Sequence, residues 1–167
     1  MAAGTYTSTT FANAPLKTPH IGNHTITGQF VSTAPTSPPN SAGDIIFLAK
    51  IPHRAVIVDF AVDHSSTETT FGMKYGLASG APTGGGASMS CFSASLAVAT
   101  AKTRWSGGTV QRLANGAFSG GDPYRVSVSD SDPNRYGIFA AKIATASAST
   151  TFIVNYSVTY RMDDPQN

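Results

Sequence analysis

Apolar and polar residues alternate with a period of two along much of this chain. The longest strict run is Thr151–Arg161, TFIVNYSVTYR, in which Phe152, Val154, Tyr156, Val158 and Tyr160 fall on one side and Ile153, Asn155, Ser157 and Thr159 on the other. Because successive side chains of a strand point to opposite faces, this pattern predicts a half-buried strand. The strongest signal is Gly43–Ser65, GDIIFLAKIPHRAVIVDFAVDHS. Ile45, Ile46, Phe47 and Leu48 are apolar at both parities, and Gly43-Asp44 and Pro52 bound the run. That predicts a strand buried on both faces. From Ala55 to Asp63, Val56, Val58, Phe60 and Val62 alternate with Ile57, Asp59, Ala61 and Asp63, a second half-buried strand. Pro52-His53-Arg54 joins the two into a strand-turn-strand unit, since proline has no N–H for a ladder. A strand covered on both faces needs a second sheet to cover it.

Further segments fit the same period. HTITGQFVS, residues 24–32, sets Ile26, Gly28 and Phe30 against Thr25, Thr27, Gln29 and Val31. Thr69–Ala78 puts Phe71, Met73, Tyr75 and Leu77 on one side, with Gly72 and Gly76 on the other. Thr109–Leu113, Tyr124–Ser129 and Tyr136–Thr145 complete the set, the last around Ile138, Phe139, Ala141 and Ile143. Met89–Thr103 is Ala-rich, with Phe92, Leu96 and Ala99 at helical spacing, and is expected to be irregular or briefly helical. Arg104–Gly108 is expected to turn. Proline-, glycine- and serine-rich stretches separate these segments, as in TAPTSPPNSAG and SGAPTGGGAS. About eight short strands without an amphipathic helix of normal length predict an all-β antiparallel β-sandwich, jelly-roll-like. The organisation expected is an extended N-terminal arm over 1–23, one sandwich domain over 24–161 and a polar tail over 162–167. In the arm, Tyr6, Phe11, Leu16 and Ile21 are the isolated apolar points. They suit either a disordered tail or an arm docking on a neighbouring chain.

Composition sharpens this picture. Among 167 residues hydrophobics make up 41% but charged residues only 12%, about half the usual share. Thr, Ser, Ala and Gly fill the gap, and such a surface desolvates few charges when it meets another protein. The net charge of +2 comes from scattered residues, so no nucleic-acid partner is expected. The first residues, MAAGTYTSTT, carry neither a basic region nor an apolar one, so no signal peptide is expected. No apolar run reaches membrane-spanning length, so no membrane partner is expected either.

Candidate chemistry is sparse. The single cysteine, Cys91, excludes an internal disulfide and reads as a small buried hydrophobe beside Phe92. His20 and His24 are four apart, but Pro19 and Gly22 argue against the helix that would align them for a metal, and no third ligand is marked. Asp130–Asn134, DSDPN, opens like a calcium loop. Arg135 then stands where glycine is needed and Ala141 where a bidentate glutamate belongs, so a turn is expected. Gly84-Gly85-Gly86 lacks the Lys-Ser/Thr of a phosphate loop. There is no G-x-S-x-G elbow. No cofactor, metal or catalytic residue is expected.

Three segments together resemble the head decoration, or cement, proteins of tailed bacteriophages: the GDIIFLAKIPHRAVIVDFAVDHS pair, the TTFGMKYGLA strand and the closing AAKIATASASTTFIVNYSVTYR. The resemblance covers about Gly43 to Arg161. It implies a jelly-roll-like fold and a non-enzymatic viral structural protein at the capsid surface of the virion. It further implies the major capsid protein as partner, a homotrimer as the assembly, and the bridging of capsomers as the role. The alternative from the residues is a carbohydrate- or receptor-recognition sandwich of a phage fibre or secreted protein, with Tyr75, Trp105, Tyr124 and Tyr136 as stacking platforms. A third, cupin-like reading would require bound metal.

Overall fold

The alternating segments become strands. The computed structural model describes residues 4–13, 21–32, 39–52, 55–66, 72–78, 96–97, 103–106, 136–145 and 151–162, with backbone alone at 64–66, 77–78, 96–97 and 103–106. In chain order the elements are β1 (Thr5–Thr7), α1 (Thr9–Asn13), β2 (Gly22–Ser32), β3 (Ile45–Pro52), β4 (Val56–Ser66), β5 (Gly72–Ala78), β6 (Leu96–Ala97), β7 (Thr103–Ser106), β8 (Tyr136–Thr145) and β9 (Phe152–Met162).

One sheet runs β1-β3-β8-β5-β6 and the other β2-β9-β4-β7. With β1 set aside, all pairings are antiparallel; β4–β9 and β5–β8 join neighbours within each sheet, and the others are β2 with β9, β3 with β8, β4 with β7 and β5 with β6. The first strand of the ribbon thus meets the last, the second meets the one before it, and so inward. A long antiparallel ribbon wound in this way into two facing sheets is a jelly roll. The unit expected around Pro52 spans both sheets, because β3 belongs to one and β4 to the other. Its turn is closed by the Ala55 N–H donating to the Pro52 carbonyl at 3.2 Å.

Between the sheets lies one continuous core: Ile46, Leu48 and Ile51 from β3, Met73 and Tyr75 from β5, and Phe139, Ala141 and Ile143 from β8 face Phe30, Ile57, Phe60, Val62 and the even-numbered residues of β9. Its centre is aromatic. Tyr75 and Phe139 stack at 6.2 Å and 24°, and the Phe60 ring lies 6.3 Å from Tyr75 and 5.8 Å from Phe139. A second cluster of Phe11, Ile45, Phe47, Ile138 and Ala140 lies on the other face of β3 and β8. The apolar run of β3 is therefore buried on both sides, as its composition predicted.

Three corrections to the sequence reading follow from bulges and pairing. In β4 the register shifts between Ile57 and Asp59, so Ile57, Phe60 and Val62 face the core, and Val56 and Val58 do not continue that side. One extra residue reverses which parity points inward. β6 is strand rather than helix, with Gly72 opposite Ala97 and Met73 opposite Leu96. At 103–106, where a turn was expected to begin at Arg104, the chain pairs with β4 from Ala61↔Ser106 to His64↔Thr103. In both places an open ladder edge outweighs weak local propensity. The strands expected at 109–113 and 124–129 lie outside the described residues.

Candidate assembly surface

Residues 5–13 are packed on the chain's own sandwich, where the sequence reading had an extended arm. β1 adds in parallel to β3, pairing Thr5↔Ile45, Tyr6↔Ile46 and Thr7↔Phe47. Asp44, itself buried, fixes the start of this pairing. Its carboxylate accepts from the Gly4 N–H at 2.7 Å and the Ser41 N–H at 3.0 Å. Tyr6 packs against the main core, and burial, with a smaller contribution from the Asp44 charge, raises its phenol pKa.

Ser8 then turns the chain into α1. Its Oγ accepts the Phe11 N–H at 3.0 Å while its carbonyl accepts the Ala12 N–H at 3.0 Å, the geometry of a helix N-cap. The same hydroxyl is a bolt. Leu48 is the extra residue where the β3–β8 register shifts between Phe47 and Ala49. Its carbonyl oxygen lies 2.7 Å from Ser8 Oγ and 2.6 Å from Tyr156 Oη, and the two hydroxyls are 3.0 Å apart. Gly28, opposite Tyr156 in the β2–β9 ladder, leaves room for this. A Cβ there would meet Tyr156 Oη and Thr10 Oγ1, with Tyr156 Cζ at 2.6 Å. On the far side of α1, Phe11 packs 5.4 Å from Phe47, and Lys50 Nζ sits 5.1 Å from the Phe11 ring and 5.4 Å from Tyr136. These are cation–π distances.

The four apolar points of the arm therefore part company. Tyr6 and Phe11 pack on this chain, on opposite faces of one sheet. Leu16 lies outside the described residues. Ile21 stands 67% exposed just before β2. The signal that could have placed Phe11 was Ser8 three residues ahead of it, a cap position.

The outward face of the β2-β9-β4 sheet is uncharged along β2 and through the middle of β9, with Arg161 at one end of β9 and Asp59 and Asp63 along β4. Thr25 lies opposite Thr159, Thr27 opposite Ser157 and Gln29 opposite Asn155, and Asp59, Ala61 and Asp63 continue these three rows on β4. The Thr25 and Thr159 hydroxyls are 3.0 Å apart, and Gln29 Nε2 donates to Asn155 Oδ1 at 2.8 Å. Short hydroxyls and amides on β2 and β9 hold one another in rows, so that part of the surface is pre-ordered and can meet a partner with no carboxylate of its own to desolvate.

The other candidates fare less well. Tyr75 is wholly buried and cannot stack on a sugar; Tyr136 is half-buried beneath Lys50. Trp105 has a described backbone only, opposite Val62, and Tyr124 lies outside the described residues. His24 is on a strand, stacked on Tyr160 at 5.3 Å, and His20 is outside the described residues. Cys91, the glycines at 84–86 and the turn at 130–134 are also outside them. Among the described residues no group of three His, Cys, Asp or Glu is placed to hold a metal ion. No helix among them is long and apolar enough to cross a membrane.

A chain of the capsid of Ralstonia phage GP4 superposes with a TM-score of 0.63 at 19% identity, over 95% of this chain and 98% of that one. A chain of the capsid asymmetric unit of cyanophage Pam1 superposes with a TM-score of 0.53 at 14% identity, over 90% and 95%. This chain shares their fold. No protein-family model matches its sequence, and no curated protein does.

Proposed function

We propose that this chain is a non-enzymatic structural protein of a phage capsid, bound to the outside of the shell and stabilising it by bridging neighbouring capsomers. The observation that carries the reading is the extent of the likeness. Coverage of 95% of this chain and 98% of the GP4 capsid chain makes them similar in length, alike nearly end to end. The likeness is thus to a whole small chain of a capsid, rather than to one module of a large shell-forming subunit.

The surface supports it. The β2–β9 rows of Thr25, Thr27, Gln29, Asn155, Ser157 and Thr159 offer an uncharged polar patch, bordered on β4 by Asp59 and Asp63, that can lie on protein with little stripping of charges. Many copies on one shell turn a weak contact into firm net attachment. On this reading the partner is the major capsid protein and the location is the virion surface. Tyr6 and Phe11 brace the sandwich, and among the described residues Ile21 is the apolar point of the arm left to touch a neighbour. The resemblance in sequence implies a trimer; light scattering separates that from the pairwise contact argued below.

The test is co-sedimentation of the purified chain with shells assembled from the major capsid protein of the same phage. Saturable binding and a higher temperature of shell disruption are expected. Ser157→Lys, in the middle of the hydroxyl rows, should weaken binding at least tenfold while leaving the circular dichroism spectrum unchanged. Absence of binding to intact shells would overturn the proposal.

A further inference from the structure

Long edge strands are usually blunted by a lysine, a proline or a bulge, because their open backbone groups pair with any strand that arrives. β2 carries none of these. Its eleven residues, GNHTITGQFVS, include no Lys, Arg, Asp, Glu or Pro. Its register with β9 is unbroken from Gly22↔Met162 to Ser32↔Phe152, whereas the β3–β8, β4–β9 and β5–β8 pairings each slip. No strand among the described residues pairs with its other side. Where α1 meets β2, Thr10 approaches Gly28 on the side toward Tyr156, beneath the strand.

Two further facts give this edge a partner. Among the described residues the exposed large hydrophobics are Ile21 and Val31, at 67% and 44%. They share the outward parity of Asn23, Thr25, Thr27 and Gln29, and they lie five positions before and five positions after Ile26. We infer that two copies of this chain join edge to edge through β2, antiparallel, with Ile26 facing Ile26 across a two-fold axis.

In that register Ile21 of each copy lies across from Val31 of the other, so each covers the exposed hydrophobic that its own chain leaves bare. Between them Asn23 meets Gln29 and Thr25 meets Thr27, polar pairs without like charges. On the inward side His24 is opposite Gly28 and Phe30 opposite Gly22, so no two bulky rings collide. A second copy is the occupant that fits, since an isologous contact requires a strand that complements itself about its midpoint. The two four-stranded sheets then form one continuous sheet of eight. The main-chain ladder supplies the attachment and the Ile21–Val31 pairs set the register. This inference does not rest on the capsid reading.

Sedimentation velocity of the full chain over a concentration series tests it. A monomer–dimer equilibrium is expected. The double variant Ile21→Lys/Val31→Lys sets like charges against each other at both ends and should weaken the dimer at least tenfold. Ile21→Lys/Val31→Glu sets opposite charges there and should recover most of that loss. The register is read separately by mixing Thr25→Cys chains with Thr27→Cys chains, each in a Cys91→Ser background. A disulfide-linked dimer should form far faster in the mixture than in either chain alone. A wild-type chain that stays monomeric, a trimer indifferent to both charge variants, or crosslinking no faster in the mixture would each overturn the inference.

Discussion

Ser8, Leu48 and Tyr156 show how much one carbonyl can organise. Both hydroxyls donate to the Leu48 oxygen, at 2.7 and 2.6 Å, which has lone pairs for both, and this brings the two hydroxyl oxygens to 3.0 Å from each other. Removing either hydroxyl leaves that buried oxygen with one partner; removing both orphans it. Ser8→Ala and Tyr156→Phe should therefore each cost about 1 kcal/mol, while the double variant should cost more than their sum by roughly another 1 kcal/mol. Urea denaturation of the four proteins measures the coupling, and simple additivity would rule out the shared acceptor. Gly28 is the steric half of the same site. A methyl group there meets Tyr156 and Thr10, and Tyr156 cannot retreat while the bolt holds. Gly28→Ala should destabilise the fold by about 1–3 kcal/mol, the usual cost of overpacking, read as a lower denaturation midpoint. None of this was legible in the sequence. Gly28 reads there as one more small residue on the apolar side of a strand, and nothing local announces that a tyrosine from residue 156 will lie across it.

At the scale of elements, α1 is the instructive case. Five residues cannot hold a helix in water, because nucleation costs more than so few bonds return. It exists because Ser8 caps it and Phe11 anchors it beside Phe47. Phe11→Ala should cost about 3 kcal/mol, and it should speed hydrogen exchange at Ala12 and at the Ser8 amide, which donates to the Phe47 carbonyl at 2.8 Å. Unchanged exchange at those amides would show that β1 and α1 stand without the ring. Long strands were readable from their alternation, as β9 shows over its full length. β3 was readable from apolar residues at both parities. What escaped was whatever depends on a partner: the bulge beyond Ile57 that resets the phase of β4, and the short β6 and β7, which are strands because β5 and β4 offer them edges. The hydroxyl rows were half legible. The alternation gave the parity of Thr25, Thr27, Ser157 and Thr159, and only the register set them side by side.

The molecule as a whole depends on a core whose burial favours the neutral phenols of Tyr75 and Tyr160. Burial raises the Tyr75 phenol well above its ordinary value near 10, and burial raises Tyr160 less. A group whose folded pKa lies above its unfolded one stabilises the fold fully below the unfolded value, near pH 10. That contribution is lost as pH rises toward the folded value, since the unfolded chain ionises first. Stability should hold up to about pH 10 and fall steeply beyond it. Tyr75→Phe should flatten that fall at little cost near neutrality, because the hydroxyl donates to the Met73 sulfur, a weak acceptor, at 3.4 Å. Thermal melts from pH 8 to 12 would show this, and an equally steep fall in the variant would assign the loss elsewhere. One consequence concerns synthesis. β9 is the middle of its sheet, between β2 and β4, yet it leaves the ribosome after both. Until residue 162 has emerged, β2 and β4 have no strand to bridge them, and the bolt on Leu48 lacks its tyrosine. Closure of this sandwich therefore waits for β9, the last of its described strands to be made.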